Sequence, residues 1–247
     1  MRRILFLDCP LDAATRTETI DLIHDRIHQH VFTRHVVVNV AKIINMRIDK
    51  QLRNSILNSD IINIDGMGVV WGARFLGHKV PERVTGIDLF LELLSLSEKN
   101  RYPIFLLGAR QSVLEDTAAE IKKRYPELSI AGFHHGYFWG EERAIISKIN
   151  ESGARLLFLA ISSPMKENFI QCWSEHLNVD FVMGVGGAFD VVSGRVQRAP
   201  RWMQGIGLEW LYRTLQEPAR MWKRYTVTNI HFLFLLLVEK IHFRLFL

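Results

Sequence analysis

The chain has 247 residues, of which 48% are hydrophobic and 23% charged, a composition typical of folded proteins that argues against extended disorder. Its net charge of +5 is concentrated at one end, because residues 195–247 carry nine Lys or Arg against three Asp or Glu. The two cysteines, Cys9 and Cys172, form neither a disulfide framework nor a Cys-x-x-Cys metal pair, which favours a reducing compartment. No run in the sequence reaches the ~18 consecutive apolar residues of a membrane-spanning helix.

Short apolar runs alternate with helical patterns along most of the chain. Residues 1–10 have too short an apolar run for a signal peptide and predict a first strand instead. Thr15 and Glu18 fit a capping box, which predicts that the first helix begins there and runs to about Phe32. Further strands are predicted at residues 36–40, 61–64, 104–107, 128–131, 156–161 and 181–185. Further helices are predicted at residues 41–58, 66–76, 87–99, 112–125, 141–151 and 164–177.

This pattern predicts the fold class. Several predicted strands are apolar on both faces, as expected when helices cover both sides of a parallel sheet. Strands and helices that alternate at this spacing predict a doubly wound α/β fold. The alternation stops near Gly194, so we expect an α/β core over residues 1–194 and a helical appendage over residues 195–247.

The appendage combines cations with aromatic and aliphatic residues. Trp and Tyr beside Lys and Arg favour the headgroup layer of a bilayer, and residues 230–247 predict an interfacial helix. This predicts binding to an anionic membrane surface. The alternatives are a helical subdomain that packs its tryptophans inside, or an apolar face that packs on a partner subunit of a homo-oligomer. Nucleic acid is a poor partner, because the basic residues are interleaved with a long apolar run.

Candidate site residues follow from the rule that parallel sheets bind ligands beyond the carboxyl ends of their strands. Gly108, Ala109 and Arg110 follow one strand and begin a helix, so their amides and the guanidinium could face a diphosphate. Gly186 and Gly187 follow the last strand and lead to Asp190. Glycine lets a backbone approach a phosphate or sugar closely, and the alternative for Asp190 is that its side chain holds a turn.

Four more polar or aromatic residues lie near the predicted strand ends. Asn39 and Asp65 end two successive strands. Arg83 is a second cation, after Arg110, near the mouth of the predicted ligand cleft. The aromatic ring of Tyr137 could stack on a nucleobase. Each also has a simpler interpretation. Asp65 could cap the next helix, Arg83 could be a surface cation, and Tyr137 could belong to the core.

Missing motifs argue against several function classes. The sequence has no Asp-x-Asp pair of the kind that holds Mg²⁺ on a nucleotide-sugar diphosphate. It also lacks a P-loop and a complete Gly-x-Gly-x-x-Gly, which disfavours an ATPase and a dinucleotide-dependent oxidoreductase. The adjacent His134 and His135 would point to opposite faces of a strand and make a poor metal pair.

A series of ordered motifs resembles the WecG/TagA/CpsF glycosyltransferases. The resemblance runs from about residue 36 to 225 and rests on Asn39 together with residues 65–70, 82–88, 106–109, 136–138, 163–164, 184–194, 198–200 and 207–213. It implies a Rossmann-like α/β core with a C-terminal appendage that docks on the membrane. It also implies an inverting transfer without metal or cofactor, from a UDP-sugar to a polyprenyl-diphosphate-linked saccharide at the cytoplasmic face of the bacterial membrane. Such reactions serve teichoic-acid, common-antigen, capsule and exopolysaccharide assembly.

The resemblance also implies roles for single residues. Asp65 would be the general base that deprotonates the acceptor hydroxyl, while Asn39, Arg83 and Asp190 would line the donor pocket. Three arginines of the appendage would meet the diphosphates of the acceptor and of the leaving UDP: Arg213, Arg220 and Arg224. A non-catalytic membrane scaffold that senses a nucleotide is the alternative from another class, but it gives the strand-end residues no joint purpose.

Two departures from the family pattern lie at the presumed sugar pocket. Where many members have Thr-x-Asn, this chain has Val37-Val-Asn39, and where many have Ser-Pro-Lys-Gln-Glu, it has Ser163-Pro-Met-Lys-Glu167. Lys166 could pair with a donor carboxylate or phosphate, or could point to solvent at a helix start. N-acetylmannosamine, glucose, galactose and a uronic acid all stay open as the transferred sugar.

Overall fold

One mixed sheet runs through the molecule. The computed structural model describes residues 1–216 and 218–245, and within them eight strands pair in the order β1-β2-β4-β3-β8-β7-β5-β6. In chain order the strands are β1 (Arg2–Phe6), β2 (Cys9–Ala13), β3 (Thr33–Val38), β4 (Ile61–Ile64), β5 (Ile104–Gly108), β6 (Ile130–His134), β7 (Leu156–Ala160) and β8 (Phe181–Gly184). β1 and β2 form an antiparallel hairpin at one edge, and the other neighbouring strands are parallel.

The described part of the chain contains twelve helices. They are α1 (Arg16–His28), α2 (Val40–Ile48), α3 (Lys50–Leu57), α4 (Met67–Phe75), α5 (Gly86–Asn100), α6 (Gln111–Arg124), α7 (Glu142–Glu151), α8 (Met165–Trp173), α9 (Ala188–Val192), α10 (Arg201–Gly205), α11 (Glu209–Gln216) and α12 (Pro218–Leu245). The α/β prediction is confirmed, and so is the helical C-terminal segment. The strands and helices before Gly194 lie close to their predicted positions.

Several local features differ from the predicted pattern, and three of them lie within the first 60 residues. The sequence did not indicate β2, because Pro10 and Asp12 interrupt its apolar residues; the buried Asp12 carboxylate instead accepts the Ile62 amide at 2.8 Å. The single helix predicted at residues 41–58 is two helices, since Asp49 adopts an extended conformation and caps α3. The capping box at Thr15 and Glu18 is confirmed, although α1 ends at His28 and not near residue 32.

Helices pack on both faces of the sheet, as predicted from the strands that are apolar on both sides. On one face, alternate strand residues such as Phe158 and Met183 pack with α1, α5, α6 and α9. On the opposite face, Val38 and Ile64 pack with α2, α3 and α4, while Leu157 and Val182 pack with α7 and α8. These helices cover the two faces of the sheet but not the carboxyl ends of its parallel strands. The loops that follow the strands meet at this end of the sheet.

The C-terminal helices lie against this body. Phe232 and Leu236 of α12 are buried in the same core cluster as α2 and α4. A Cβ added to Gly72 of α4 would lie 2.9 Å from the Phe232 ring, so the glycine permits this close approach. Gly207 similarly contacts Met67, the first residue of α4. The chain therefore shares its core across residue 194, and the division into two domains there stays a prediction.

Candidate functional site

The loops that follow the parallel strands are tied together by backbone hydrogen bonds. The Asp65 amide donates to the Val38 carbonyl at 2.9 Å, which joins the ends of β4 and β3. The Gly186 amide donates to the Leu159 carbonyl at 3.3 Å, and the Ala109 amide donates to the Ala160 carbonyl at 2.9 Å. The structure thus brings the predicted strand-end residues to one edge, which is where open parallel sheets bind ligands.

Asp65 and Asn39 lie side by side at this edge. A Cβ added to Gly66 would be 3.2 Å from the Asn39 Cβ, so the two chain segments touch at the glycine. Gly66, and not Asp65, occupies the N-cap position of α4. Asn39 caps α2, because its Oδ1 accepts the Lys42 amide at 3.1 Å. That bond fixes the Asn39 carboxamide, whose NH₂ group is a hydrogen-bond donor.

A strained turn follows β5. Gly108 has φ +123°, and a Cβ there would lie 2.5 Å from the Ala160 carbonyl oxygen, so only glycine fits. Ala109 has φ +58°, which is unusual for a residue with a side chain. Arg110 follows as the exposed N-cap residue of α6. The turn therefore leads into the N-terminus of α6 with an exposed guanidinium beside it, and the first-turn amides of a helix are groups that bind anions.

The loop after β6 lies against this turn. The Gly136 amide donates to the Ala109 carbonyl at 2.9 Å, so Tyr137 is held next to residues 108–110. Tyr137 is 67% exposed, which contradicts the interpretation of this residue as part of the core. An exposed aromatic ring beside this turn suits a nucleobase, with its diphosphate at the start of α6.

Asp190 lies beside the second glycine turn. Gly186 has φ +55°, and Asp190 Oδ2 is 3.8 Å from the position that a Cβ on Gly187 would take. The sequence did not indicate α9, the short helix that carries Asp190. The Asp190 backbone carbonyl accepts hydrogen bonds from Ser193 and Val196, so the backbone of this residue holds the turn.

Arg83 lies near Asp65 and is not a simple surface cation. The amide of the next residue, Val84, donates to the Ile64 carbonyl at 2.9 Å, which ties this loop to the end of β4. The Arg83 side chain is only 14% exposed and forms an ion pair with Glu209 of α11 at 3.3 Å. The rule that ligands bind at strand ends does not select Glu209, because this residue lies in the appendage, 126 residues after Arg83.

Lys166 lies in the interior, and the expectation that it could point to solvent is wrong. Its side chain is 10% exposed and its Nζ lies 3.1 Å from Glu167 Oε1. The same Glu167 oxygen lies 2.7 Å from Lys42 Nζ. The Lys166 stem packs on Gly184, where a Cβ would lie 2.5 Å from the Lys166 Cδ. A direct contact between Lys166 and a donor sugar stays a prediction.

Burial and charge shift two ionisable groups near this cluster. Burial by itself would raise the pKa of Glu167, but the charges of Lys42 and Lys166 outweigh it and lower the pKa to about 2. Burial lowers the pKa of His35 to about 4, so this imidazole is neutral near pH 7. His35 Nε2 lies 2.8 Å from Asn63 Oδ1, and the Asn63 amide in turn donates to Thr19. Sequence reasoning singled out Lys166 but neither Lys42 nor His35. The signal for Lys42 was a charge among the apolar residues of α2, whereas His35 lies on β3.

The appendage exposes apolar side chains. Trp202 is 65% exposed and Trp210 is 39% exposed, so these two tryptophans are not packed inside a subdomain. On α12, large apolar residues point away from the buried Phe232 and Leu236 and are more than half exposed: Ile230, Leu233, Phe234, Leu237 and Ile241. Among the described residues, no helix is both long and apolar enough to cross a membrane. The side chains of Arg213, Arg220 and Arg224 lie outside the described part of the chain, and their contacts stay predictions.

The fold, the strand-end site and the order of the motifs define a glycosyltransferase. The chain belongs to the WecG/TagA/CpsF family of glycosyl transferases, whose model matches residues 4–245. It is 36% identical over 177 residues to an N-acetylglucosaminyldiphosphoundecaprenol N-acetyl-beta-D-mannosaminyltransferase of Bacillus subtilis (strain 168). The match covers 71% of this chain and 68% of that protein. The resemblance of the motifs is thereby confirmed.

Proposed function

We propose that the protein transfers a sugar from a UDP-sugar to a polyprenyl-diphosphate-linked saccharide during the assembly of a cell-envelope polysaccharide. The observation that carries the proposal is the contact of the Asp65 and Asn39 segments at the ends of β4 and β3, in a chain of this family. The name of the Bacillus subtilis relative describes transfer of N-acetylmannosamine to a lipid-linked N-acetylglucosamine, which supports the same class of substrates here.

Asp65 is the proposed general base. Its carboxylate removes the proton from the acceptor hydroxyl while that oxygen attacks the anomeric carbon of the donor sugar. The new C–O bond forms as the bond between the anomeric carbon and the diphosphate breaks, and UDP leaves with the electron pair. A single displacement of this kind inverts the configuration at the anomeric carbon. The proton remains on Asp65 until solvent removes it.

The departing diphosphate needs positive charge, and the proposed reaction uses no metal ion to supply it. The proposed groups are the guanidinium groups of Arg83 and Arg110 and the first-turn backbone amides of α6, which follow the turn at Gly108. The glycine turn at Gly186 and Gly187 is proposed to let the donor approach the backbone closely. Arginines of the appendage are the proposed contacts of the lipid-linked diphosphate: Arg213, Arg220 and Arg224. Fixed dipoles and cations of this kind stabilise developing charge without reorganising during the reaction.

The donor sugar is proposed to bind between Asn39 and Asp190, and its uracil ring beside Tyr137. An amide donor and a carboxylate acceptor can hydrogen-bond two different sugar hydroxyls. Val37, where many family members have Thr, is buried and packs beside Gly86. The substitution therefore removes a hydroxyl from a covered position next to Asn39. An N-acetylhexosamine or a hexose is the proposed donor sugar.

The appendage is proposed to hold the enzyme on the cytoplasmic face of the membrane as a peripheral protein. Its exposed apolar side chains on α12 and its excess of cations suit an interface with anionic lipid. This places the strand ends near a lipid-linked acceptor, since Gly207 and α12 both contact α4, the helix that follows Asp65.

The direct test is turnover with a panel of UDP-sugars. Purified protein is incubated with each donor and with N-acetylglucosaminyl diphosphate on a short polyprenyl chain, with and without EDTA, and products are identified by mass spectrometry and proton NMR. The expected result is one preferred donor, product of inverted anomeric configuration, and an unchanged rate in EDTA. Binding of UDP without transfer from any donor would favour the nucleotide-sensing scaffold instead.

A further inference from the structure

One carboxylate of the appendage lies between two guanidinium groups. Glu209, the first residue of α11, has Oε2 3.3 Å from Arg83 Nη1 and Oε1 3.6 Å from Arg198 Nε. The side chains of Arg83, Glu209 and Arg198 are at most 20% exposed, so water screens their interaction only in part. Glu209 thus links the loop beside Asp65 to the segment that begins the appendage.

The far side of this link is firmly anchored to the α/β body. The two terminal nitrogens of Arg198 donate to the two oxygens of Asp88 at 2.5 and 2.9 Å, which is the bidentate geometry of strong arginine–carboxylate pairs. Asp88 also accepts a hydrogen bond from the hydroxyl of Thr85, which caps α5. Arg198 therefore gives Glu209 a fixed position from which to hold Arg83.

Arg83 is held less tightly and by the appendage. Among the described residues, its polar contacts are one oxygen of Glu209 at 3.3 Å and the Gln204 carbonyl at 3.4 Å, and both partners belong to the C-terminal helices. A guanidinium carries five N–H donors, so these two contacts leave capacity for a bound anion. The loop of Arg83 is also hydrogen-bonded to Ile64, the residue before Asp65. The place of the Arg83 cation relative to Asp65 therefore depends on Glu209.

We propose that Glu209 is a positioning residue that holds the Arg83 guanidinium at the strand ends and so couples the C-terminal helices to sugar transfer. This inference rests on the proposed function, in which Arg83 stabilises the donor diphosphate. The negative charge of Glu209 opposes the binding of an anion at Arg83. The ion pair between the two residues, however, holds the Arg83 guanidinium in one orientation. Replacing Glu209 by Gln removes the charge at nearly constant size and separates the two effects.

The test compares Glu209→Gln with the wild-type chain in two measurements. Calorimetric titration with UDP should show affinity that is unchanged or a few-fold tighter, because one opposing charge is lost. Turnover at saturating donor should fall about tenfold or more, because the misplaced cation stabilises the leaving group less well. Glu209→Asp keeps the charge and should recover part of the lost turnover.

The matched control is Asp116→Asn. It breaks the ion pair of 2.7 Å between Arg195 and Asp116, which also joins the appendage to the body but is 43% and 52% exposed. A surface pair of this kind contributes little, so UDP affinity and turnover should stay at the wild-type level. Parallel loss of UDP affinity and turnover in Glu209→Gln would show a merely structural role, and wild-type turnover in that variant would equally overturn the proposal.

A measurement without sugar transfer separates this proposal from the proposed function. Hydrogen exchange over residues 195–216 should be faster in Glu209→Gln than in Asp116→Asn, and equal exchange in the two variants would contradict the positioning role. If the wild-type chain transfers no sugar from any donor, the proposed function fails. Hydrogen exchange and UDP affinity then still decide whether Glu209 holds Arg83.

Discussion

Gly66 and Asn39 touch across the ends of β4 and β3: a Cβ at residue 66 would lie 3.2 Å from the Asn39 Cβ and 3.3 Å from its Cα. The glycine has φ −92° and ψ 128°, a conformation open to every residue, so it is the lack of space, and not the backbone conformation, that disfavours a side chain here. The proposed base and the proposed sugar-binding amide are adjacent because β4 pairs with β3, and the absence of a side chain at residue 66 lets the two segments touch.

Gly66→Ala should therefore impair activity more than folding. The added methyl group must push the Asn39 segment away by a few tenths of an ångström, at a cost of about 1–3 kcal/mol in the free energy of unfolding. Because the reacting groups shift, turnover should fall about tenfold. Gly205→Ala is the control, since a Cβ there meets no atom within 4 Å. Equal turnover in the two variants would show that the contact does not matter for the reaction.

The buried Lys42–Glu167–Lys166 cluster predicts two unequal stability effects. Glu167→Gln leaves two buried ammonium groups without their carboxylate and should lower the free energy of unfolding by about 3–5 kcal/mol. Lys166→Gln leaves the 2.7 Å pair between Lys42 and Glu167 intact and should cost much less. Urea unfolding of the two variants measures the difference. An equal loss of unfolding free energy in both variants would mean that the ion pair with Lys42 is not enough to stabilise the buried Glu167 carboxylate.

Acid should destabilise the protein below neutral pH through His35. Its folded-state pKa of about 4 lies below the ordinary value of 6.5, so the unfolded chain binds a proton first as the pH falls. The contribution of His35 is complete above about pH 6.5, is lost progressively towards pH 4, and amounts to about 3 kcal/mol. Glu167, with its lowered pKa, adds a further loss only between about pH 4.5 and 2.

The check is the free energy of urea unfolding measured between neutral pH and about pH 4.5. The wild-type value should fall over this window, while His35→Gln, which cannot take up a proton, should show a flatter curve. Parallel curves for the two proteins would assign the acid sensitivity to other groups.

The exposed face of α12 should bind membranes. Phe234→Glu replaces an apolar ring that is 64% exposed with a carboxylate and should reduce cosedimentation with vesicles of anionic phospholipid several-fold. Leu5→Glu is the matched control, because Leu5 on β1 is 67% exposed but points to the opposite face of the strand from Phe6, which packs on Phe232 of α12. Equal binding of both variants would remove α12 from the membrane contact.

The sequence predicts the frame of the molecule because local chemistry determines it. Apolar runs such as residues 104–107 and 156–161 become strands, and the capping box at Thr15 begins α1 as predicted. The rule on strand ends also brings Asn39 and Asp65 to the same edge. These features depend on residues that are close in the chain, or on a general property of parallel sheets.

Contacts between distant residues could not be predicted in this way. Lys166 is buried because it shares Glu167 with Lys42, a residue more than 120 positions earlier in the chain. Arg83 is held by Glu209, which no strand-end rule selects. The position of a buried charge depends on its ion-pair partner, and a single sequence does not show which distant residues pair. The site is therefore harder to predict from the sequence than the sheet.

The most direct test of the account is turnover by Asp65→Asn. The amide cannot accept the proton of the acceptor hydroxyl, but it keeps the size of the carboxylate and its place beside Asn39. Turnover of a lipid-linked acceptor with the preferred UDP-sugar should fall by about 10²-fold or more, while UDP affinity stays close to the wild-type value. Turnover near the wild-type rate in this variant would contradict the assignment of Asp65 as the base and the mechanism built on it.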